Sequence, residues 1–142
     1  MGNMKPIPPI DEVLAKIREA KESEFTELNL TRQQMSDITP LTELVKLEVL
    51  HLCENQISYI TPLSGLAKLN MLDLGDNKIS ELASLAGLAQ LETLYLDNNQ
   101  ITDVSPVMGL TNLKLLGLYE NQVADVTPLA RLTNLTNLYL YH

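Results

Sequence analysis

Tryptophan is absent from the 142-residue chain, and phenylalanine and cysteine occur once each. The single cysteine, Cys53, rules out an internal disulfide and fits a reducing compartment. With aromatics at 4%, a core must be built mainly from Leu, Ile and Val. No apolar run reaches the roughly 18 residues of a membrane-spanning helix. The opening MGNMKPIPPIDEV holds no apolar segment of signal-peptide length, which favours a cytoplasmic protein, or a cell-surface or secreted one whose signal has been removed. Cations are in short supply: the net charge of −8 argues against nucleic acid and anionic membranes as partners and is compatible with a basic protein surface. A Gly-rich phosphate loop, the EF-hand spacing and a nucleophile–base–acid set are all missing, so neither cofactor nor catalysis is expected.

What the chain does contain is a repeat. Leu91, Leu94, Leu96, Asn99, Ile101 and Val104 recur 22 residues earlier as Leu69, Leu72, Leu74, Asn77, Ile79 and Leu82. The frame recurs again as Leu47, Leu50, Leu52, Asn55, Ile57 and Ile60, and further on as Leu113, Leu116, Leu118, Asn121, Val123 and Val126. A fixed period of this length predicts a solenoid. The first repeat is degenerate: Phe25, Leu28, Leu30, Met35 and Ile38 keep the apolar frame, but Gln33 replaces its asparagine. A sixth begins at Leu135, Leu138 and Leu140 and stops at His142, so the sequence reads as a piece of a longer protein with an uncapped edge through which copies would associate.

Ahead of the repeats, Ile10, Val13, Leu14 and Ile17 follow the spacing of one apolar helix face, and Asp11 and Glu12 suit a helix start after Pro8 and Pro9. This helix is expected to cap the first coil, because a solenoid exposes core at its ends. The division is thus residues 1–24 as lead and capping helix, and residues 25–142 as about five and a half repeats.

Within a repeat, residues 93–97 alternate apolar and variable side chains, which predicts a short half-buried strand. Four repeats continue with Thr39-Pro40, Thr61-Pro62, Ser105-Pro106 or Thr127-Pro128, read as a hydroxyl N-cap and a proline opening a short helix. The third has Ala83-Ser84 instead and is expected to turn more loosely. So few residues link successive strands that each must lie parallel to the last.

The pattern LxxLxLxxNxI resembles the leucine-rich repeat family, over residues 25–142. It is most similar to the 22-residue repeats of bacterial internalin-type proteins, whose phrase appears here as Asn99-Gln100-Ile101-Thr102-Asp103-Val104-Ser105-Pro106. The resemblance implies an α/β fold: a right-handed solenoid with a parallel concave sheet and short 3₁₀ or α turns on the convex side. It also implies that the asparagines lie inside the bend after each strand. The Ala-Lys-Ile-Arg-Glu-Ala phrase of the helix looks more like intracellular bacterial members that join repeats to GTPase or other signalling domains.

Function must then reside in the columns between the frame residues, which point to the opposite face of the strand. The first column is Glu27, Val49, Met71, Thr93, Leu115, Asn137; the second is Asn29, His51, Asp73, Tyr95, Gly117, Tyr139. The third is Thr31, Cys53, Gly75, Asp97, Tyr119, Tyr141, and the fourth Arg32, Glu54, Asp76, Asn98, Glu120, His142. Four of the five tyrosines fall in the second and third columns, and Arg32 is the only one of ten Lys and Arg in any of them. Tyr95, Tyr119, Tyr139, Tyr141, Asp73, Asp97, Glu120 and His51 are therefore the expected partner-binding residues, since tyrosine beside carboxylates resembles an interface hot spot. Strand propensity and solubility alone would also favour these residue types. His51, Cys53 and Asp73 make the best metal or catalytic constellation, and they are too few for a zinc site. The expected function is a protein–protein interaction module. The alternatives are a structural or sensor segment of a larger signalling enzyme and an internalin-type surface adhesin.

Overall fold

A computed structural model describes Pro6 and residues 9–141; most of the proline-rich lead and His142 lie outside the described residues. Helix α1 spans Ile10–Glu22. Six three-residue strands follow: β1 Glu27–Asn29, β2 Val49–His51, β3 Met71–Asp73, β4 Thr93–Tyr95, β5 Leu115–Gly117 and β6 Asn137–Tyr139. They form one sheet in chain order, each parallel to the next. The 22-residue period appears directly as the register, with Leu28, Leu50, Leu72, Leu94, Leu116 and Leu138 side by side.

The strands are shorter than the alternation suggested, and a left-handed residue ends each coil's extended segment three positions further on. Arg32, Glu54, Asp76, Asn98 and Glu120 all have φ between 52° and 58°. Only glycine, and to a lesser degree Asn and Asp, adopts this region without appreciable strain. The fourth column is thus a row of bends rather than strand positions. Backbone pairing still continues past the strands, as from Leu96 N to Gly117 O at 2.9 Å and from Asn98 N to Tyr119 O at 2.7 Å.

Between strands the chain returns through 3₁₀ turns at Thr39–Leu41, Thr61–Leu63, Ala83–Leu85, Ser105–Val107 and Thr127–Arg131. Here two expectations are corrected. The hydroxyl residue is not the N-cap; it occupies the first position of the turn, and Ile38, Ile60, Leu82, Val104 or Val126 precedes it without a side-chain cap bond. The turn at Ala83–Leu85 also keeps the common geometry without proline, with Leu85 N donating to Leu82 O at 2.9 Å, as Leu63 N does to Ile60 O. The buried leucines on either side fix the path, so proline is not needed to set it.

Capping falls instead to a residue two positions earlier. Asp37, Asp103 and Asp125 accept the N–H of Thr39, Ser105 and Thr127, each at 2.9 Å. Hydrogen bonding to these residues holds all three carboxyls below the usual carboxylate range. In the second repeat this position is Tyr59, which is 64% exposed. Replacing Tyr59 with aspartate is expected to raise the melting temperature near neutral pH, by offering the Thr61 N–H the acceptor that Asp37, Asp103 and Asp125 offer in their coils. A carboxyl lowered in the folded state stabilises above its unfolded pKa and loses that contribution as pH falls through the folded value. Thermal melts of both proteins would check this; no gain near neutrality, or a gain that persists in strong acid, would refute it.

The core is a continuous stack of leucines and isoleucines, with Leu50, Leu72, Leu94 and Leu116 fully buried. Helix α1 covers one end through Val13, Ile17 and Ala20. The apolar face expected from spacing is shifted: Ile10 and Leu14 are exposed, because the helix meets the first coil along a narrow stripe. Its end is a Schellman-type stop, with Phe25 N donating to Ala20 O at 2.9 Å and Glu24 N to Lys21 O at 3.3 Å, and with Glu24 in the left-handed region at φ 52°. Phe25 is exposed rather than part of the core, and it lines, with Val45, a cleft of about 110 Å³ beside α1 that shares no residue with the four columns. Burial fades at the other end, where Leu138 is 40% exposed.

Candidate concave interface

Each column residue is placed by the frame beneath it. Where the frame leucine is locked inward, its neighbours on the strand must face the other way. His51 and Asp73 stand side by side on β2 and β3, Asp73 beside Tyr95 on β4, and Gly117 between Tyr95 and Tyr139. One coil apart in the third column, Tyr119 and Tyr141 meet edge to face, with ring centroids 6.5 Å apart at 64°. Tyr95 is half-buried, while Tyr119, Tyr139 and Tyr141 are exposed.

The eight predicted residues divide into fixed and free groups. Asp73 Oδ1 accepts the Gly75 N–H at 3.0 Å, which braces its own bend. Asp97 Oδ1 accepts the Tyr119 N–H at 2.9 Å and so reaches into the next coil. Burial pushes the Asp97 carboxyl above the ordinary range against this bond, and the nearby Asp73 and Asp76 carboxylates push the same way. Its two oxygens lie over Gly117: a β-carbon there would come within 2.4 and 2.8 Å of them. Glu120 is exposed on its left-handed bend. His51 Nε2 lies 3.7 Å from Glu27 Oε1.

Cys53 does not pair with His51. Its thiol points to Asp76 Oδ2 at 3.8 Å. Burial first, and then the carboxylates of Asp73, Asp76 and Glu54, push the Cys53 thiol up to about 12. The thiolate is the reactive form, so Cys53 is a poor nucleophile at neutral pH. No cluster of three or more His, Cys, Asp or Glu side chains suited to a metal occurs among the described residues.

Sequence reasoning missed the coupling of Asp97 to Gly117. A trace of it existed: a glycine in one column stands beside a carboxylate one coil back in the next. Arg32, the only cation of these columns, is engaged with Glu54 at 2.5 Å. The surface therefore presents tyrosines at one end and carboxylates along its length.

Beneath that surface runs an asparagine ladder. Asn99 Oδ1 accepts the Ile79 N–H at 2.9 Å, and its Nδ2 donates to Leu74 and Leu96 carbonyls at 3.0 Å. Asn55, Asn77 and Asn121 repeat the arrangement. Strand, buried asparagine and 3₁₀ turn, repeated in register, define a leucine-rich repeat solenoid.

The family model described as Leucine Rich repeats (2 copies) matches residues 45–87 and 67–107. Among solved structures, internalin C2 from Listeria monocytogenes is 43% identical with a TM-score of 0.82, over 85% of this chain and 54% of that one. An internalin (inlF) from the same organism is 30% identical with a TM-score of 0.84, over 96% of this chain and 46% of that one. The plant peptide hormone receptor RGFR1, in complex with RGF2, is 26% identical with a TM-score of 0.65, over 72% of this chain and 18% of that one. A search of curated proteins gave no match. The chain is an internalin-like leucine-rich repeat protein, and it spans about half the length of the two internalins. Its fold and these neighbours support a protein–protein interaction module.

Proposed function

We propose that the concave face binds a protein partner with a basic surface, anchored by Tyr95, Tyr119, Tyr139 and Tyr141 and flanked by Asp73, Asp97, Glu120 and His51. The observation that carries this reading is the segregation of residue types. Carboxylates at Glu54, Asp73, Asp76, Asp97 and Glu120 share the face with four tyrosines, and its single cation is already paired. Tyrosine offers large contact area at low entropic cost, and complementary charge steers encounter.

Capture from lysate of the organism that carries the gene tests it. Tyr95→Ala combined with Tyr119→Ala is expected to weaken partner capture by about a thousandfold, two hot-spot truncations' worth. Lys68→Ala, outside the four columns, is expected to leave capture unchanged. Capture by the double tyrosine variant equal to that of the parent would overturn the proposal.

A further inference from the structure

We infer that Gly117, the Asp97 carboxylate lying over it and the surrounding tyrosines form a seat for one arginine side chain of the protein partner. This rests on the concave-face reading and specifies its chemistry. Tyr95 and Tyr139 flank Gly117 on the neighbouring strands, so the second column has a tyrosine on each side of a buried position without a side chain of its own. With strands about 4.8 Å apart, the two tyrosine backbones stand about 10 Å from one another across it. Asp97 occupies that position from the side, its oxygens closer to Gly117 than any β-carbon would allow. One oxygen is held by the Tyr119 N–H at 2.9 Å, and Asp97's own N–H also bonds the carboxylate, so its orientation is fixed from the backbone.

None of the ion pairs formed among the described residues reaches Asp97; Lys21, Arg32 and Lys114 go to Glu43, Glu54 and Glu92. The seat thus combines a half-buried carboxylate, unpaired with any of those cations, with a tyrosine on each strand neighbouring Gly117. A guanidinium fits both, since it bonds a carboxylate through its N–H fork and stacks on aromatic faces. Lysine would meet the charge without the stacking.

The test is an amide NMR titration of the full chain with N-acetyl-arginine methylamide and its neutral isostere N-acetyl-citrulline methylamide. Saturable shifts centred on Gly117 and Tyr119 are expected, with citrulline and the lysine analogue weaker by about tenfold and threefold. Asp97→Asn keeps an acceptor for the Tyr119 N–H while removing the charge, and should weaken arginine about five- to tenfold. Gly117→Ala displaces the flexible carboxylate without disturbing a strained backbone, and should do the same. Glu81→Gln removes an equal charge elsewhere and should change nothing. Equal response to arginine and citrulline, or equal loss from Asp97→Asn and Glu81→Gln, overturns the seat. If Asp97→Asn and Gly117→Ala leave partner capture intact while the double tyrosine variant abolishes it, the seat fails and the concave interface stands. If the tyrosine variant also captures normally, the interface itself is refuted.

Discussion

Replacing Asn99 with alanine is expected to destabilise the protein by about 1–3 kcal/mol, chiefly through one orphaned backbone N–H. The side chain is 5% exposed and satisfies groups in two coils at once. Its carbonyl partners each retain another donor: Leu74 O also accepts from Asn77 Nδ2, Leu96 O from Asn121 Nδ2, and Asp97 O from the Asp76 N–H. The Ile79 N–H is different, since its bond runs to Asn99 Oδ1 alone. Alanine strands that donor in dry surroundings.

Aspartate at position 99 separates the two halves of this argument. It preserves the acceptor for Ile79 but turns a second oxygen toward carbonyls that Asn99 Nδ2 meets at 3.0 to 3.2 Å. Burial and those dipoles raise the folded pKa of the new carboxyl above its unfolded value. The extra cost of Asn99→Asp is therefore absent below the unfolded pKa and grows as pH rises through and above it. The cost of Asn99→Ala should not depend on pH. Urea unfolding of both variants beside the parent, in acid and near neutrality, gives the comparison. A cost for Asn99→Ala within about 0.5 kcal/mol of zero, the scatter of ordinary surface changes, would show that the ladder is dispensable.

The frame was legible in the sequence because a period of 22 leaves one way to stack the leucines, and the register Leu50, Leu72, Leu94 is that period read across the sheet. Which side chains share the concave face was legible for the same reason. What was not legible depends on contacts between coils that the period does not encode. The helix face could be inferred only to within one stripe, so Ile10 and Leu14 were placed inside when Ala20 is. Caps were assigned to the hydroxyl residues because Ser/Thr-Pro is a common opening, whereas Asp37, Asp103 and Asp125 accept the N–H of the hydroxyl residue itself from two residues back. Asp97 was expected only as one of the partner-binding residues. A glycine one coil on lets it fold down and bond the Tyr119 N–H, so it positions a tyrosine as well as carrying charge.

Leu94→Ala should be among the most damaging changes available, at about 3–5 kcal/mol, and its size should depend on where in the stack the leucine sits. Leu94 is fully buried between Leu72 and Leu116, themselves fully buried. Those neighbours cannot collapse into the space, because ladder bonds such as Leu74 N to Tyr95 O at 2.8 Å and Leu96 N to Gly117 O at 2.9 Å hold the strand spacing. Transfer and cavity costs therefore add in full. Leu138 occupies the same column one strand beyond Leu116 and is 40% exposed. Its truncation removes less buried surface and opens no enclosed cavity, so Leu138→Ala should cost about 1 kcal/mol or less. The solenoid adds a second signature, since each coil is stabilised only by its neighbours. A cavity at β4 weakens both interfaces of the middle coil, so Leu94→Ala should lower the urea m-value as the two ends uncouple, whereas Leu138→Ala should shift the midpoint at constant m. Circular dichroism titrations of the pair decide it: equal costs for the two leucines would mean that burial in the stack does not set the energetics of this column.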